Sequence, residues 1–249
     1  MKSLFIVLPL LIFLGSCKKN AINGSPMTPG SISHHNASVS LLNPYDSVGI
    51  WHNRVLDRVL PQIHSVQDTN LKFISSLVAT CNYSPLKINP NTLNQNVKVA
   101  IKDASQNYMQ LIERGPLSAI ARQYLHRLLS VIEDTSIYPN IQAAYSVLKN
   151  NIERLQSQVL TDEHLNANDK RAVLEIISVA NHSLDYWFHS GTEALSLKKI
   201  IRTIATVTGD IGGAIEGYYT GDIVGTASDA SAWWYENITW GMPGKLASP

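Results

Sequence analysis

Residues 91–114 read NTLNQNVKVAIKDASQNYMQLIER. Leu93, Val97, Ala100, Ile101, Ala104, Tyr108, Leu111 and Ile112 recur there at intervals of three and four. Positions so spaced share one face of a helix, and that face is apolar while the rest is polar. Gly115-Pro116 breaks the pattern, because proline lacks the amide that the next turn needs.

The same spacing extends in both directions. Downstream, one helix over 117–132 carries Leu117, Ile120, Ala121, Tyr124, Leu125, Leu128, Leu129 and Ile132. Another over 139–159 carries Ile141, Tyr145, Leu148, Ile152, Leu155 and Val159, with Pro139 suited to its first turn. A third over 168–189 carries Val173, Leu174, Ile177, Asn181, Leu184 and Phe188. Upstream, 45–60 places Val48, His52, Val55, Leu56 and Val59 on one stripe and is closed or kinked by Pro61. A shorter helix over 69–81 follows, with Asp68 as its expected cap. No segment alternates with period two between hairpin turns, and no solenoid repeat is present. Short links between amphipathic helices imply antiparallel neighbours. The expected fold is all-α, an antiparallel bundle of about seven helices. The seventh begins near Leu195 and runs into a glycine-rich C-terminal helical segment.

That segment holds the most regular spacing in the chain. Ala205, Gly209, Gly213, Gly217, Gly221 and Gly225 stand four residues apart. On a helix they line a groove of small residues that lets a second backbone approach closely. The favoured reading is a tight contact within the chain. Self-association or membrane insertion is opposed by Asp210, Glu216, Asp222 and Asp229, because carboxylates are expensive in hydrocarbon. A flexible loop remains open, since each interior glycine costs roughly 1 kcal/mol of helix propensity. Trp233-Trp234-Tyr235 and Trp240 follow, as core residues or as an interfacial anchor.

Two polar blocks interrupt the apolar stripes. In the first, His52 lies on the apolar stripe and Gly49 removes bulk one turn earlier, with Asn53 and Asp57 alongside. A histidine so placed needs a hydrogen-bond partner and is expected to be buried and structural. The run Pro44-Tyr45-Asp46, Gly49, His52-Asn53, Leu56-Asp57 resembles the Asn-Pro-Tyr-Asp…Gly-x-x-His-Asn-x-x-Leu-Asp opening of uncharacterised Bacteroidota lipoproteins and secreted proteins. That resemblance implies no activity. The second block holds Asn181, His182, Asp185 and His189. His182, Asp185 and His189 share a face and could hold a divalent metal, with His52 as a fourth ligand. The spacing departs from His-Glu-x-x-His. A buried polar network joining the two blocks, or surface polarity, is favoured over metal.

At the N-terminus, Lys2 precedes the apolar run 4–14 and then Leu14-Gly15-Ser16-Cys17. A positive start, a short apolar stretch and small residues before a cut site make a secretory signal. Leu-Gly-Ser-Cys resembles the bacterial lipobox, which implies a signal peptide over 1–16 and diacylation of Cys17. Two or three acyl chains hold a protein firmly where one holds marginally. Cys17-Lys18-Lys19-Asn20 is similar to Bacteroidota lipoproteins, and the lysines there imply an outer-membrane anchor facing the periplasm. Residues 17–43, with His34-His35, are expected as a lipidated flexible tether reaching roughly 28 Å, and 44–249 as a single helical domain.

Without residues 1–16, the chain has 19 basic and 19 acidic residues, which leaves no electrostatic footprint for nucleic acid. With Cys17 acylated, Cys81 has no thiol to pair with and lies in an apolar stretch, as a structural residue would. No nucleophile elbow, phosphate loop or dinucleotide fingerprint is present. The expectation is a membrane-tethered domain without a cofactor that binds a protein partner in the envelope. The rivals are a metal-dependent periplasmic hydrolase, or a membrane-active protein working through the glycine-rich tail.

Overall fold

The computed structural model describes residues 42–66, 69–84, 88–106, 108–133, 141–189 and 197–237. Cys17, His34-His35, Asp68 and Trp240 lie outside them. All described residues belong to one compact unit. The domain is all-α, and the described residues form nine helices: α1 (Ser47–Val66), α2 (Leu71–Thr80), α3 (Pro90–Gln106), α4 (Tyr108–Glu113), α5 (Ala119–Glu133), α6 (Ile141–Thr161), α7 (Ala167–His189), α8 (Leu197–Thr220) and α9 (Ile223–Asn237). Nine rather than about seven follows from two stretches. The expected helix over 91–114 comprises α3 and α4, and the glycine-rich tail is two helices rather than one.

Two boundaries also differ from expectation. The first helix continues through Pro61 to Val66. Leu60 and Ile63, on either side of the proline, are both buried, so packing outweighs the lost amide. Asn70 caps α2, its side chain accepting from the Lys72 amide at 2.9 Å. Asn43, placed by sequence in the tether, is only 7% exposed and belongs to the domain.

Helices α7, α8 and α9 form the centre. Every residue from 172 to 180, from 206 to 217 and from 225 to 234 is buried. Their polar residues, Thr206, Thr208, Asp210, Glu216 and Asp229 among them, are buried along with the apolar ones. Around the centre, α8 meets α3, α4, α5 and α6 as well as α7 and α9, while α9 meets α1, α2 and α3. The amphipathic helices thus supply the outer ring, their apolar stripes turned inward.

The centre is possible because α8 and α9 form a hairpin with almost nothing between their backbones. A Cβ on Gly213 would stand 2.7 Å from the Thr226 carbonyl oxygen and 2.8 Å from the Ala227 Cα. One on Gly217 would stand 2.6 Å from the Ile223 Cα. A Cβ on Gly209 would run into the Trp234 ring. The row of fours therefore crosses a turn instead of lining one continuous helix. Gly221 is that turn, with φ of 84° and open space around it. The Asp222 amide donates to the Gly217 carbonyl at 2.7 Å, closing α8 in a Schellman geometry. The Asp222 side chain then accepts from the Gly225 amide at 3.0 Å and caps α9. One residue ends one helix and starts the next.

Leucine at position 217 must push the two backbones apart. Overpacking of this kind costs about 1–3 kcal/mol. Gly217→Leu is expected to lower the melting temperature of the purified domain by circular dichroism, with its mass by light scattering unchanged. A variant as stable as the parent, or one altered only in oligomeric mass, would remove the hairpin contact from this account.

Candidate functional site

The two polar blocks of the sequence meet along one line. Leu174, Ser178, His182 and Tyr186 recur every four residues on α7, and each engages the segment 43–57. The Asn43 side-chain amide donates to the Leu174 carbonyl at 2.9 Å. The Gly49 amide donates to Ser178 Oγ, and Ser178 Oγ donates to the Asp46 carbonyl, both at 3.0 Å. His182 Nε2 lies 2.8 Å from Asp46 Oδ1. The Asn53 amide donates to the His182 carbonyl at 2.9 Å. Asp57, exposed on α1, accepts from the Tyr186 phenol, whose pKa is raised by burial and by that carboxylate. Gly49 is required because a Cβ there would collide with the Ser178 carbonyl and the His182 ring. The block that carries the family resemblance is thus a hydrogen-bonded seam between α1 and α7.

His52 sits on the inner side of this seam with no exposure. Its Nδ1 pairs with Asn53 Oδ1 at 2.9 Å, which leaves Nε2 facing inward. There it meets Asp210 Oδ2 at 3.7 Å, too far for a hydrogen bond. Asp210 lies on α8 and is fully buried. Its Oδ2 accepts from the Ser183 hydroxyl and, at 3.3 Å, from the Trp187 indole. The same indole proton is shared with Ser231 of α9 at 3.2 Å. Burial pushes Asp210 up to about 7 against the pull of Ser183, Ser231 and Trp187. Burial pushes His52 down to about 4, with Asn53 opposing. Burial thus disfavours the charged form of both, where in water the two would form an ion pair.

A second buried carboxyl, Asp229 of α9, stands against Ser75, whose own hydroxyl proton goes to the Leu71 carbonyl at 2.9 Å. Burial raises its pKa well above the ordinary carboxylate range. Among the described residues neither of its oxygens finds a hydrogen bond of good geometry. Sequence reading missed Asp210 as the partner of His52 and Asp229 as the neighbour of Ser75. Each lies more than 150 residues downstream of its partner, so only the fold brings them together.

The remaining candidates are separated. Asp185 accepts from Tyr145 at 2.8 Å and from Lys149 at 2.7 Å. His189 turns back to the Asp185 carbonyl at 2.7 Å and lies edge-on to Tyr145. Asn181 is half-buried, with its side-chain oxygen unpaired. His182, Asp185 and His189 share a helix but point to three different partners. Among the described residues no group of three His, Cys, Asp or Glu is disposed to hold a metal ion. Cys81 is buried, its thiol turned to the Leu77 carbonyl and its pKa raised by burial. Trp233 and Trp234 are buried, and Tyr235 stacks on Trp187 at 4.2 Å with Arg202 over its other face at 3.7 Å.

No protein-family model, curated protein or solved structure matches this chain.

Replacing His52 by alanine removes a packed ring and leaves Asn53 without its partner. An orphaned buried polar group costs about 1–3 kcal/mol, and the lost packing adds to it. His52→Ala is expected to lower the melting temperature clearly. His189→Ala, on an exposed residue, is expected to shift stability by less than about 0.5 kcal/mol. Equal effects of the two would contradict the seam.

Proposed function

We propose that this chain is a lipid-anchored envelope protein with a non-enzymatic binding or assembly role. The anchor is acyl lipid on Cys17, in the outer membrane and facing the periplasm, with a protein partner in the envelope. The Leu-Gly-Ser-Cys lipobox and the lysines after it support the location. Among the described residues no helix is long and apolar enough to cross a membrane, and in this proposal acyl lipid on Cys17 supplies the attachment.

One observation carries the non-enzymatic part. The His, Asp and Ser side chains that could perform chemistry are spent on holding α1, α7 and the hairpin together, and the deepest of them, His52, Asp210 and Ser183, have no exposure at all. A hydrolase built on His52, His182, Asp185 and His189 needs them at one centre open to water and substrate. Each of the four has a separate protein neighbour instead.

A second reading has one observation in its favour. Among the described residues, Asp210 Oδ1, Thr226 Oγ1, both Asp229 oxygens and the Trp234 indole of the hairpin find no hydrogen-bond partner. Each such group costs about 1–3 kcal/mol. A central element burdened in this way has reason to leave the bundle, which suits a membrane-active protein. Its five carboxylates, Asp210, Glu216, Asp222, Asp229 and Glu236, oppose entry into hydrocarbon, and the binding role is preferred.

Cys17→Ala is expected to abolish incorporation of labelled palmitate and to leave uncleaved or mislocalised precursor; undiminished labelling would end the anchor proposal. Crosslinking in the native envelope is expected to recover a stoichiometric protein partner, and metal analysis of the purified chain to find no bound metal. Stoichiometric metal lost in His52→Ala would favour the hydrolase instead, and leakage of dye-loaded liposomes would favour the membrane-active reading.

A further inference from the structure

A cleft of about 400 Å³ opens at the turn of the α8–α9 hairpin, between α1, α7 and the segment after α2. Its size falls within the range of small-molecule sites. Tyr83, Asn168, Arg171, Glu175, Tyr218 and Asp222 supply its polar and aromatic lining. None of them belongs to the seam or to the His52 network.

The hydrogen-bonding inventory of these six side chains selects a class of ligand. Arg171 commits its Nε to Glu175 at 2.8 Å and keeps its two terminal nitrogens as donors. The Asn168 amide and the Tyr218 hydroxyl are engaged by no hydrogen bond with the described residues. Asp222 is held firmly, Oδ1 by the Gly225 amide at 3.0 Å and Oδ2 by the Tyr83 hydroxyl at 3.1 Å, and each oxygen retains a free lone pair. Donors and acceptors therefore stand side by side. An anion entering the cleft meets the carboxylates of Glu175 and Asp222. A cation meets the Arg171 guanidinium. A polyhydroxylated ring, whose every hydroxyl both donates and accepts, meets neither conflict. The two tyrosines add apolar ring surface of the kind that packs against the C–H faces of a sugar.

We propose that this cleft is a saccharide-binding site. The proposal rests on the binding reading above and names its ligand class. Asn168 and Arg171 donate to sugar hydroxyls, Asp222 accepts from them, and Tyr218 does both.

The test is isothermal titration calorimetry on the full chain, in a detergent without a sugar headgroup. The probes are maltose, cellobiose and diacetylchitobiose, with glycine and inorganic phosphate as comparison arms. At least one disaccharide is expected to bind saturably. The double variant Asn168→Ala/Tyr218→Phe is expected to weaken it by roughly tenfold or more, a loss of about 1.4 kcal/mol, with the melting temperature unchanged. Silence of all three disaccharides, binding of glycine or phosphate in their place, or undiminished binding by the double variant overturns the assignment. Bound sugar recovered cleaved would keep the cleft and sink the non-enzymatic reading. No sugar binding alongside a crosslinked envelope partner would sink the cleft and keep that reading.

Discussion

Glycine at positions 213 and 217 lets two helix backbones meet where side chains would hold them 8–10 Å apart. The rest of the architecture follows from that approach. A hairpin made thin in this way fits inside a ring of ordinary amphipathic helices, and its partner α7 lies against it, buried over more than two turns. Each interior glycine sacrifices about 1 kcal/mol of helix propensity. What offsets it is dispersion between closely packed atoms and the burial of the ring's apolar stripes, which have a solid centre to close upon. The same burial carries Asp210 and Asp229 into the interior, where the charged form of a carboxyl is disfavoured.

The α1–α7 seam answers the question of what the most motif-like residues are for. Asn43, Asp46, Gly49, Asn53 and Asp57 find their hydrogen-bond partners on four successive turns of α7, at Leu174, Ser178, His182 and Tyr186. Directional bonds at four consecutive turns fix the register of the two helices, which apolar stripes alone leave loose. The Asn168 amide and the Tyr218 hydroxyl, left open at the hairpin turn, lie apart from this seam.

The outer helices were legible because each is half-buried, and half-burial writes a period of 3.6 into the sequence. The spacing around Leu93, Leu125 and Leu148 was enough to place α3, α5 and α6. The hairpin was less so. Residues 206–217 are buried on every side, polar Thr206, Thr208, Asp210 and Glu216 included, which an apolar stripe does not announce, and the fourfold glycine spacing reads as one groove when it is two helices joined at Gly221. Pro61 misled because a local rule about backbone amides says nothing of the packing at Leu60 and Ile63 that carries α1 onward. His52 was legible as a buried residue from its stripe position. Its partner Asp210 was not, because a contact across 158 positions has no local signature. The cleft residues were invisible for the same reason: Tyr83, Asn168 and Asp222 come from three separate stretches and carry no motif.

The core tolerates Asp210 beside His52 because burial favours the neutral form of each. Raised to about 7, Asp210 takes up a proton on folding, so the stability it contributes at low pH is lost as pH climbs from its unfolded value near 3.8 through 7. His52, lowered to about 4, works in the opposite sense, and its contribution is lost as pH falls from 6.5 through 4. Asparagine at 210 mimics the protonated carboxyl in shape and titrates with nothing. The decisive measurement is the unfolding free energy of the parent chain and of Asp210→Asn across pH 4 to 7. The account predicts that the parent loses stability relative to the variant by up to about 1.4 kcal/mol per pH unit as pH rises through that window. A parent that holds or gains stability relative to Asp210→Asn over the same range would mean that Asp210 is charged in the fold, and would contradict it.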